Sequence, residues 1–280
     1  MANVLIFADH DGGKIAKTAA ELASFAKRGG TPIAALLTNA GEADSLATQL
    51  ANTDIESVLA VESVDFSAHG IPAIVDALAQ IVETKTPAAV LIPSTARGKE
   101  IAGRLAVRIN SGIITDAIDV APDFATTQSV FGGSFTVAAK VKTGIPVITV
   151  RPSAIEASAT TNSPAVEKIN VTISDKAKLV KISNVQSAVK GGRPELTEAK
   201  IVISGGRGTN GDFTQVEAMA DLLGAAVGAS RAATDAGWYA HSSSWPNRKN
   251  GKSAALYGMR NFRRDSTSCR YANIKEHCCD

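Results

Sequence analysis

The sequence predicts an α/β protein of two domains, the first of which is built on a mainly parallel sheet. Short apolar runs alternate with segments of helical spacing, and the order strand–helix–strand is the unit of a parallel sheet. The chain has 280 residues, of which 45% are hydrophobic and 20% charged. This length and composition are sufficient for two domains that each bury a core of their own.

The alternation begins at the first residues. Asn3–Ala8 predicts a buried strand, Lys14–Lys27 a helix with its apolar residues on one side, and Pro32–Leu37 a second strand. The order then repeats and ends in strands without helices between them. These elements are a strand at Ser57–Val61, a helix at Pro72–Val82, a strand at Ala88–Pro93, a helix at Lys99–Ile109, and strands at Ile113–Val120, Phe135–Val141 and Pro146–Val150. The first domain therefore has a β-rich end.

A domain boundary is predicted at Gly191-Gly192, which Arg193-Pro194 follows. Residues 154–189 before it are rich in Ser, Thr, Ala and Lys, and they hold one strand pattern, Lys168–Ile173. We therefore assign residues 1–190 to an N-terminal α/β domain and residues 191–241 to the start of a second domain.

The second domain opens with a strand, a glycine turn and a helix. Lys200–Ser204 predicts the strand, and Gly205-Gly206-Arg207-Gly208 forms the turn. Asp212 begins the helix, with Gln215 three residues later as in a capping box, and an apolar face that extends to Val227. Such a turn can bind phosphate, because glycine admits the ligand and the helix offers free N–H groups. On the local pattern alone, a turn that binds nothing is the preferred interpretation.

Ser230-Arg231 follows the predicted helix and has two interpretations. Arg231 can interact with the negative end of the helix dipole, or it can lie beside an electron-rich ligand. The spacing does not choose between them.

Composition excludes several classes of function. Residues 242–280 hold eight Lys/Arg and three acidic residues, so residues 1–241 have 21 basic and 24 acidic residues and a net charge of −3. Residues 1–241, which we call the body of the chain, are mildly acidic and give no reason to expect a nucleic-acid partner. All three cysteines lie in residues 242–280, so the body offers no disulfide or thiol nucleophile. No apolar run is long enough to span a membrane.

Neither a catalytic residue nor a metal site is indicated. Asp9-His10-Asp11-Gly12-Gly13 predicts a surface loop after the first strand, because no second cluster of His or carboxylates could complete a metal shell. Cys278-Cys279 has no second pair at zinc-finger spacing, and no Ser-His-Asp arrangement is suggested.

Several motifs together resemble the electron-transfer flavoprotein alpha-subunit family. They include Val4–His10, the central stretch Ile92–Ala106, and Arg193-Pro194-Glu195-Leu196 leading to the glycine turn. The most specific are Val227–Ala233 and Asp235-Ala236-Gly237-Trp238. The resemblance covers the chain from its first residues to about His241.

Residues 242–280 depart from this family's pattern. The family has a Gln- and Gly-rich loop, a strand and a helix that begins Ser-Gly-Ala-Ile-Gln-His. These motifs reappear when the codons from Ser243 onward are read one base later, with permitted synonymous bases. We therefore interpret residues 242–280 as an aberrant, frameshifted tail that truncates a Rossmann-like, doubly wound FAD-binding domain, and we expect the tail to be poorly ordered.

The resemblance implies an FAD-dependent electron carrier that pairs with a beta subunit through its first domain. It takes electrons from acyl-CoA and other dehydrogenases, as in fatty acid beta-oxidation, and passes them to a quinone oxidoreductase in the respiratory chain. By resemblance, Gly206, Arg207 and Gly208 lie on the phosphate side of FAD, Ser230 hydrogen-bonds it, and Arg231 lies near the isoalloxazine.

We expect weak or absent FAD binding in this chain because the tail is altered, and a bacterial cytoplasmic location. Two alternatives stay open, namely a nicotinamide-dependent oxidoreductase and a nucleotide-binding or interaction module without redox activity.

Overall fold

The computed structural model describes residues 2–158, 160–185, 192–194, 196, 199, 201–239, 244–245 and 255–259. The chain divides into two compact units, Met1–Val185 and Gln186–Asp280. The boundary that the sequence predicts, after residue 190, lies a few residues beyond this division. None of the helices in the described residues is long and apolar enough to cross a membrane.

The first unit contains five α-helices and eleven strands in its described residues. The helices are α1 (Thr18–Gly29), α2 (Ala43–Thr48), α3 (Asp65–His69), α4 (Ile71–Lys85) and α5 (Ala96–Arg108). The strands are β1 (Asn3–Phe7), β2 (His10–Asp11), β3 (Lys14–Ile15), β4 (Thr31–Thr38), β5 (Ser57–Glu62), β6 (Ala89–Pro93), β7 (Ile113–Val120), β8 (Thr126–Val130), β9 (Phe135–Ala139), β10 (Val147–Val150) and β11 (Ala165–Lys168).

Nine of these strands form one sheet in the order β11-β5-β4-β1-β6-β10-β7-β8-β9. Pairing is parallel from β11 to β7 and antiparallel in the last two pairs. Leu5 and Phe7 pack in a cluster with α4 and α5, whereas Val4 and Ile6 pack with α1 and α2. Both faces of the parallel part are therefore covered, which explains why its strands are continuous apolar runs. The predicted α/β class, with a β-rich end, is confirmed.

The strand predicted at Lys168–Ile173 is displaced. β11 ends at Lys168, and the residues after it leave the sheet. Ile173 is buried in the cluster that contains α4, and the Thr172 N–H donates to Gln80 Oε1 on that helix at 3.2 Å. The alternating pattern therefore reflects a segment packed against the cluster that contains α4, in which Ile173 is buried and Ile169 and Val171 are partly buried. The sequence analysis also missed α2, α3 and β8.

Asp76 on α4 is a buried carboxylate that joins three parts of the first unit. Its side chain is 1% exposed, and it pairs with Arg108 at the end of α5. Its other oxygen accepts the N–H of Ser174 at 2.7 Å, in the segment that follows β11. A buried charge is tolerated only when it is paired and hydrogen-bonded, so Asp76 fixes the position of both partners.

The second unit contains a four-stranded parallel sheet in the order β14-β13-β12-β15. Its strands are β12 (Ile201–Gly205), β13 (Ala226–Ser230), β14 (Ser244–Trp245) and β15 (Ala255–Met259), and its helices are α6 (Thr214–Leu223) and α7 (Arg231–Asp235). A 3₁₀ turn at Arg207–Thr209 lies between β12 and α6. This succession of parallel strands and helices agrees with the doubly wound start that the sequence predicts.

The helix of this unit is shorter than the sequence analysis expected. It begins at Thr214, and no side chain caps it, so the capping box of Asp212 and Gln215 was wrong; Asp212 Oδ1 instead accepts the Thr214 N–H at 2.9 Å. Gly224, with φ +59°, ends the helix after Leu223. Val227, expected on the helical face, lies in β13.

Two segments of the proposed aberrant tail are described, and both are strands. β14 pairs with β13, and β15 pairs with β12 on the side away from β13. At these seven residues the backbone is therefore paired, unlike the poorly ordered tail that we expected. The rest of residues 242–280 lies outside the described residues.

We predict that Asp76→Ala lowers the free energy of unfolding of the first unit by about 2–3 kcal/mol. The change leaves Arg108 and the Ser174 N–H without their partner. Because Arg108 is half-exposed, the expected loss is at the low end of what the breaking of a buried ion pair costs. Urea denaturation followed by circular dichroism measures the loss. Val107→Ala is the control, because Val107 lies next to Arg108 and is 82% exposed. Equal stability of the two variants would contradict the role of Asp76.

Candidate functional site

The candidate site lies at the carboxyl edge of the sheet in the second unit. Parallel pairing aligns Gly205 with Ala229, so Gly206, just after β12, and Ser230, the last residue of β13, lie at the same edge. The chain runs from β12 to β13 and β14 on one side, whereas β15 lies on the other side of β12. Ligands of open α/β sheets bind outside the carboxyl ends of the strands where the strand order reverses in this way.

Gly205 and Gly206 have different reasons to be glycine. A Cβ atom on Gly205 would lie 2.6 Å from Cε1 of Phe213, whose ring is buried against the end of β12. A Cβ atom on Gly206 would lie 3.7 Å from Ser230 Oγ, an ordinary contact. Gly205 is therefore required for the end of β12 to pack on Phe213, whereas at Gly206 a methyl group would fit beside the serine hydroxyl. The structure brings together Gly206 and Ser230, two residues that the sequence analysis named separately.

The 3₁₀ turn that follows β12 contains Arg207 and Gly208. The Thr209 hydroxyl donates to the Gly206 carbonyl at 2.9 Å, and the Thr209 N–H donates to the same oxygen at 3.0 Å. Arg207 is exposed, and Gly208 is half-buried. The Gly206 carbonyl is thus engaged within the turn, which fixes the direction in which the backbone of the turn faces.

Ser230 connects β13 to α7. Its Oγ accepts the Ala233 N–H at 3.3 Å, so it serves as the N-cap of the helix. A serine hydroxyl has a second acceptor position and one donor proton, and these can still engage a ligand.

Arg231 is the first residue of α7 and does not follow α6 directly, so the interpretation that placed it at a helix C-terminus was wrong. Its side chain is 86% exposed, and Nε lies 3.6 Å from Asp235 Oδ2, which is also exposed. An ion pair this exposed contributes little to stability. The guanidinium can therefore turn from Asp235 to an anionic ligand at small cost.

No role at the site was predicted from the sequence for the aromatic residues next to this edge. Phe213 stacks on Tyr239, with 4.6 Å between ring centroids and 29° between ring planes. The Tyr239 hydroxyl donates to Glu217 Oε1 at 2.9 Å, and burial together with this carboxylate raises the pKa of Tyr239. The adjacent pair Trp238-Tyr239 in a chain with only 5% aromatic residues was the available signal.

The donor groups at this edge suit an anion such as a diphosphate. Two exposed guanidinium groups, one serine hydroxyl and a glycine turn before a helix are the groups that bind phosphate in proteins. In the part of the chain that the structure describes, no three His, Cys, Asp or Glu residues are grouped as metal ligands. The observed chemistry therefore fits the phosphate side of a dinucleotide.

The loop after β1 in the first unit is stabilised by its own contacts. Asp9 lies 3.0 Å from Arg97, and His10 Nε2 lies 2.8 Å from the Leu37 carbonyl oxygen. Burial raises the pKa of Asp9, although Arg97 opposes the shift. Asp9 and His10 thus have structural partners.

Comparisons with known proteins cover both units. Residues 4–174 match the electron transfer flavoprotein domain, and residues 195–244 match the electron transfer flavoprotein FAD-binding domain. The chain is 43% identical to the electron transfer flavoprotein subunit alpha of Mycobacterium leprae over 242 residues, which are 85% of this chain and 76% of that protein. The chain belongs to the electron transfer flavoprotein alpha-subunit family.

Further relatives carry the same name. The electron transfer flavoprotein subunit alpha of Mycobacterium tuberculosis is 44% identical over 85% of this chain and 76% of its own length. That of Syntrophomonas wolfei is 37% identical over 86% of this chain and 77% of its own length. Membership of the electron transfer flavoprotein family favours flavin over the nicotinamide and non-redox alternatives.

The match to the family's FAD-binding domain spans all five residues that the sequence analysis named, from Gly206 to Arg231. The Ser230 hydroxyl and the exposed Arg207 offer donor groups that suit an anionic ligand. The match ends at residue 244, next to the point where the sequence departs from the electron transfer flavoprotein pattern.

We predict that Gly205→Ala destabilises the second unit by about 1–3 kcal/mol, because the new methyl group would overlap the buried Phe213 ring. Thermal unfolding and hydrogen exchange in β12 measure the effect. Gly192→Ala is the control, since nothing lies within 4 Å of a Cβ atom there. Phe213→Leu in the Gly205→Ala background should restore part of the loss. A Gly205→Ala variant as stable as the unaltered chain would show that the Phe213 ring does not restrict residue 205.

Proposed function

We propose that this chain is the FAD-binding subunit of a two-subunit electron carrier. With a beta subunit, it takes electrons from acyl-CoA and other dehydrogenases and passes them to a quinone oxidoreductase. The observation that carries the proposal is the juxtaposition of Gly206 and Ser230 at the carboxyl edge of β12 and β13, where β12 is the strand from which the order runs to β13 on one side and to β15 on the other. Family membership supports the choice of FAD as the ligand.

Each residue of the edge has a proposed role. Gly206 and Gly208 let the phosphates approach the backbone of the turn, and Arg207 donates to a phosphate oxygen. Ser230 donates its hydroxyl proton to FAD while Ala233 occupies one of its acceptor positions. Arg231 turns away from Asp235 and lies beside the isoalloxazine.

FAD, when bound, supplies the redox chemistry, namely the uptake and release of electrons. The residues of this chain set the affinity and the reduction potential. A cation beside the ring favours the more negative, reduced flavin, so Arg231 raises the potential. No proton transfer by a residue of this chain is needed for that effect.

The first unit is proposed to contribute the contact with the beta subunit. Its match to the electron transfer flavoprotein domain, and the designation of the relatives as alpha subunits, support a heterodimer. The dehydrogenase and quinone oxidoreductase partners, the role in fatty acid beta-oxidation and the bacterial cytoplasmic location stay predictions.

We also propose that this chain binds FAD more weakly than its relatives do. The family's Gln- and Gly-rich loop and its helix start are replaced after residue 243, as expected for a shifted reading frame. The end of the family match at residue 244 supports this interpretation. Contacts to the cofactor from the replaced segment are lost, whereas those from β12 and β13 are kept.

We predict that restoring the reading frame from residue 243 tightens FAD binding by about 100-fold or more. Two recovered hydrogen bonds to a charged ligand, at about 1.5–3 kcal/mol each, give at least this factor. Both chains are expressed with a beta subunit, and flavin retained on gel filtration is measured by absorbance. Equal retention by the two chains would contradict the proposed impairment, and absence of flavin from both would contradict the proposed function.

We predict that Gly206→Ala weakens FAD binding about 10-fold without changing the unfolding temperature. The methyl group has room in the folded unit but occupies the space where a phosphate must approach. Flavin titration and thermal unfolding of the same samples measure the two effects. Gly192→Ala again serves as the control, being exposed in the same unit. Unchanged affinity would remove Gly206 from the binding site.

A further inference from the structure

Three aromatic residues hold the loop that forms one wall of the candidate site. We call Phe213, Trp238 and Tyr239 the aromatic clamp, and residues 205–211 the glycine loop. Phe213 lies at the start of α6, while Trp238 and Tyr239 lie just after α7. The clamp therefore connects the residues just after α7 to the start of α6.

Tyr239 contacts the glycine loop through Phe213. The Tyr239 ring stacks on the Phe213 ring, which lies so close to Gly205 that a Cβ atom there would be 2.6 Å from Phe213 Cε1. Phe213 is 5% exposed, so the ring has little room to move. Loss of the Tyr239 ring would remove the aromatic stack from Phe213, one of the contacts that hold this ring beside Gly205.

Trp238 contacts the other end of the same loop. Its indole lies 3.5 Å from the position of a Cβ atom on Gly211, which has φ +91° and so favours glycine. The backbone N–H of Trp238 donates to the Ala233 carbonyl oxygen at 3.0 Å, which fixes the Trp238 backbone to α7. Trp238 thus packs at the last residue of the glycine loop, and Tyr239 acts on its first residue through Phe213.

Charged residues fix the clamp from the other side of α6. The Tyr239 hydroxyl donates to Glu217, and Arg193 lies 3.4 Å from the same carboxylate. Arg193 also donates to both oxygens of Asp221 at 2.5 and 2.9 Å. A bidentate pair has a defined geometry, so the position of Glu217 and hence of the Tyr239 ring is restricted.

We infer that the aromatic clamp sets the position of the glycine loop, and that Tyr239 and Trp238 are therefore positioning residues for the ligand that binds there. The identity of that ligand as FAD rests on the proposed function. Ser230 and Arg231 lie at the start of α7, and Gly206 and Arg207 lie on the glycine loop. Because the clamp joins the end of α7 to this loop, it fixes the distance between the two sets of groups that must bind one ligand.

The test uses the full chain with Tyr239→Ala, Tyr239→Phe and Leu222→Ala. Phenylalanine keeps the stacked ring and loses only the hydroxyl, whereas alanine removes both. Leu222 is the matched control, because it lies on α6 and is 86% exposed. Hydrogen exchange, resolved by mass spectrometry of peptides, reports on the glycine loop without any ligand. Titration with FAD up to millimolar concentrations reports on binding.

We expect Tyr239→Ala to speed exchange at residues 205–211 about 10-fold, to leave β13 unchanged, and to weaken FAD binding about 10-fold. These factors correspond to the loss of one aromatic stack and one hydrogen bond. Tyr239→Phe should stay within about threefold of the unaltered chain in both measurements, and Leu222→Ala should equal it.

The outcomes separate the inference from the proposed function. Exchange that rises equally in the glycine loop and β13 would mean that the clamp only stabilises the unit, and would overturn the inference. Unchanged exchange in Tyr239→Ala would overturn it as well. If the unaltered chain fails to bind FAD, the proposed function fails, while the exchange pattern still decides whether the clamp positions the loop.

Discussion

Parallel pairing of strands is the constraint on which both units depend. Each parallel strand must be reached by a crossover that returns over a face of the sheet, so helices cover the faces and the strands become apolar on both sides. In the first unit, alternate residues of β1 supply two separate cores. In the second, the same rule brings the ends of β12 and β13 to one edge, and only there can Gly206 and Ser230 meet.

The sequence was sufficient for the parts of the fold in which the pattern is set locally. Strands such as Val4–Phe7 are continuous apolar runs, and helices such as α5 have clear apolar faces, so their type could be read directly. β13 could not be read in this way. Apart from Val227 its residues, Ala226 to Ser230, are small and have low strand propensity, and the first of them continue the spacing of α6. Pairing with β12 decides their conformation, and that is a tertiary effect.

In the candidate site, too, some features follow from the sequence whereas others depend on tertiary contacts. Its residues were named from resemblance, but the contact of Gly205 with Phe213 joins residues whose proximity depends on how the turn folds. Two arginines of the second unit illustrate what a sequence hides. Arg193 is bound to Asp221 through two hydrogen bonds, whereas Arg231 is 86% exposed and forms only an exposed ion pair at 3.6 Å with Asp235. Both residues are arginine in the sequence, yet of the two only Arg231 is available to a ligand.

β11 has a consequence for how the chain folds during synthesis. It pairs with β5, so Ala165 lies beside Ser57, and the sheet of the first unit is incomplete until that late segment has been made. Contacts between such distant residues slow folding, because a long loop must close before they form. All of this unit precedes residue 243, and domains fold as units in the order in which they leave the ribosome. A change of reading frame at that point therefore reaches a nascent chain whose first unit already has every residue it needs.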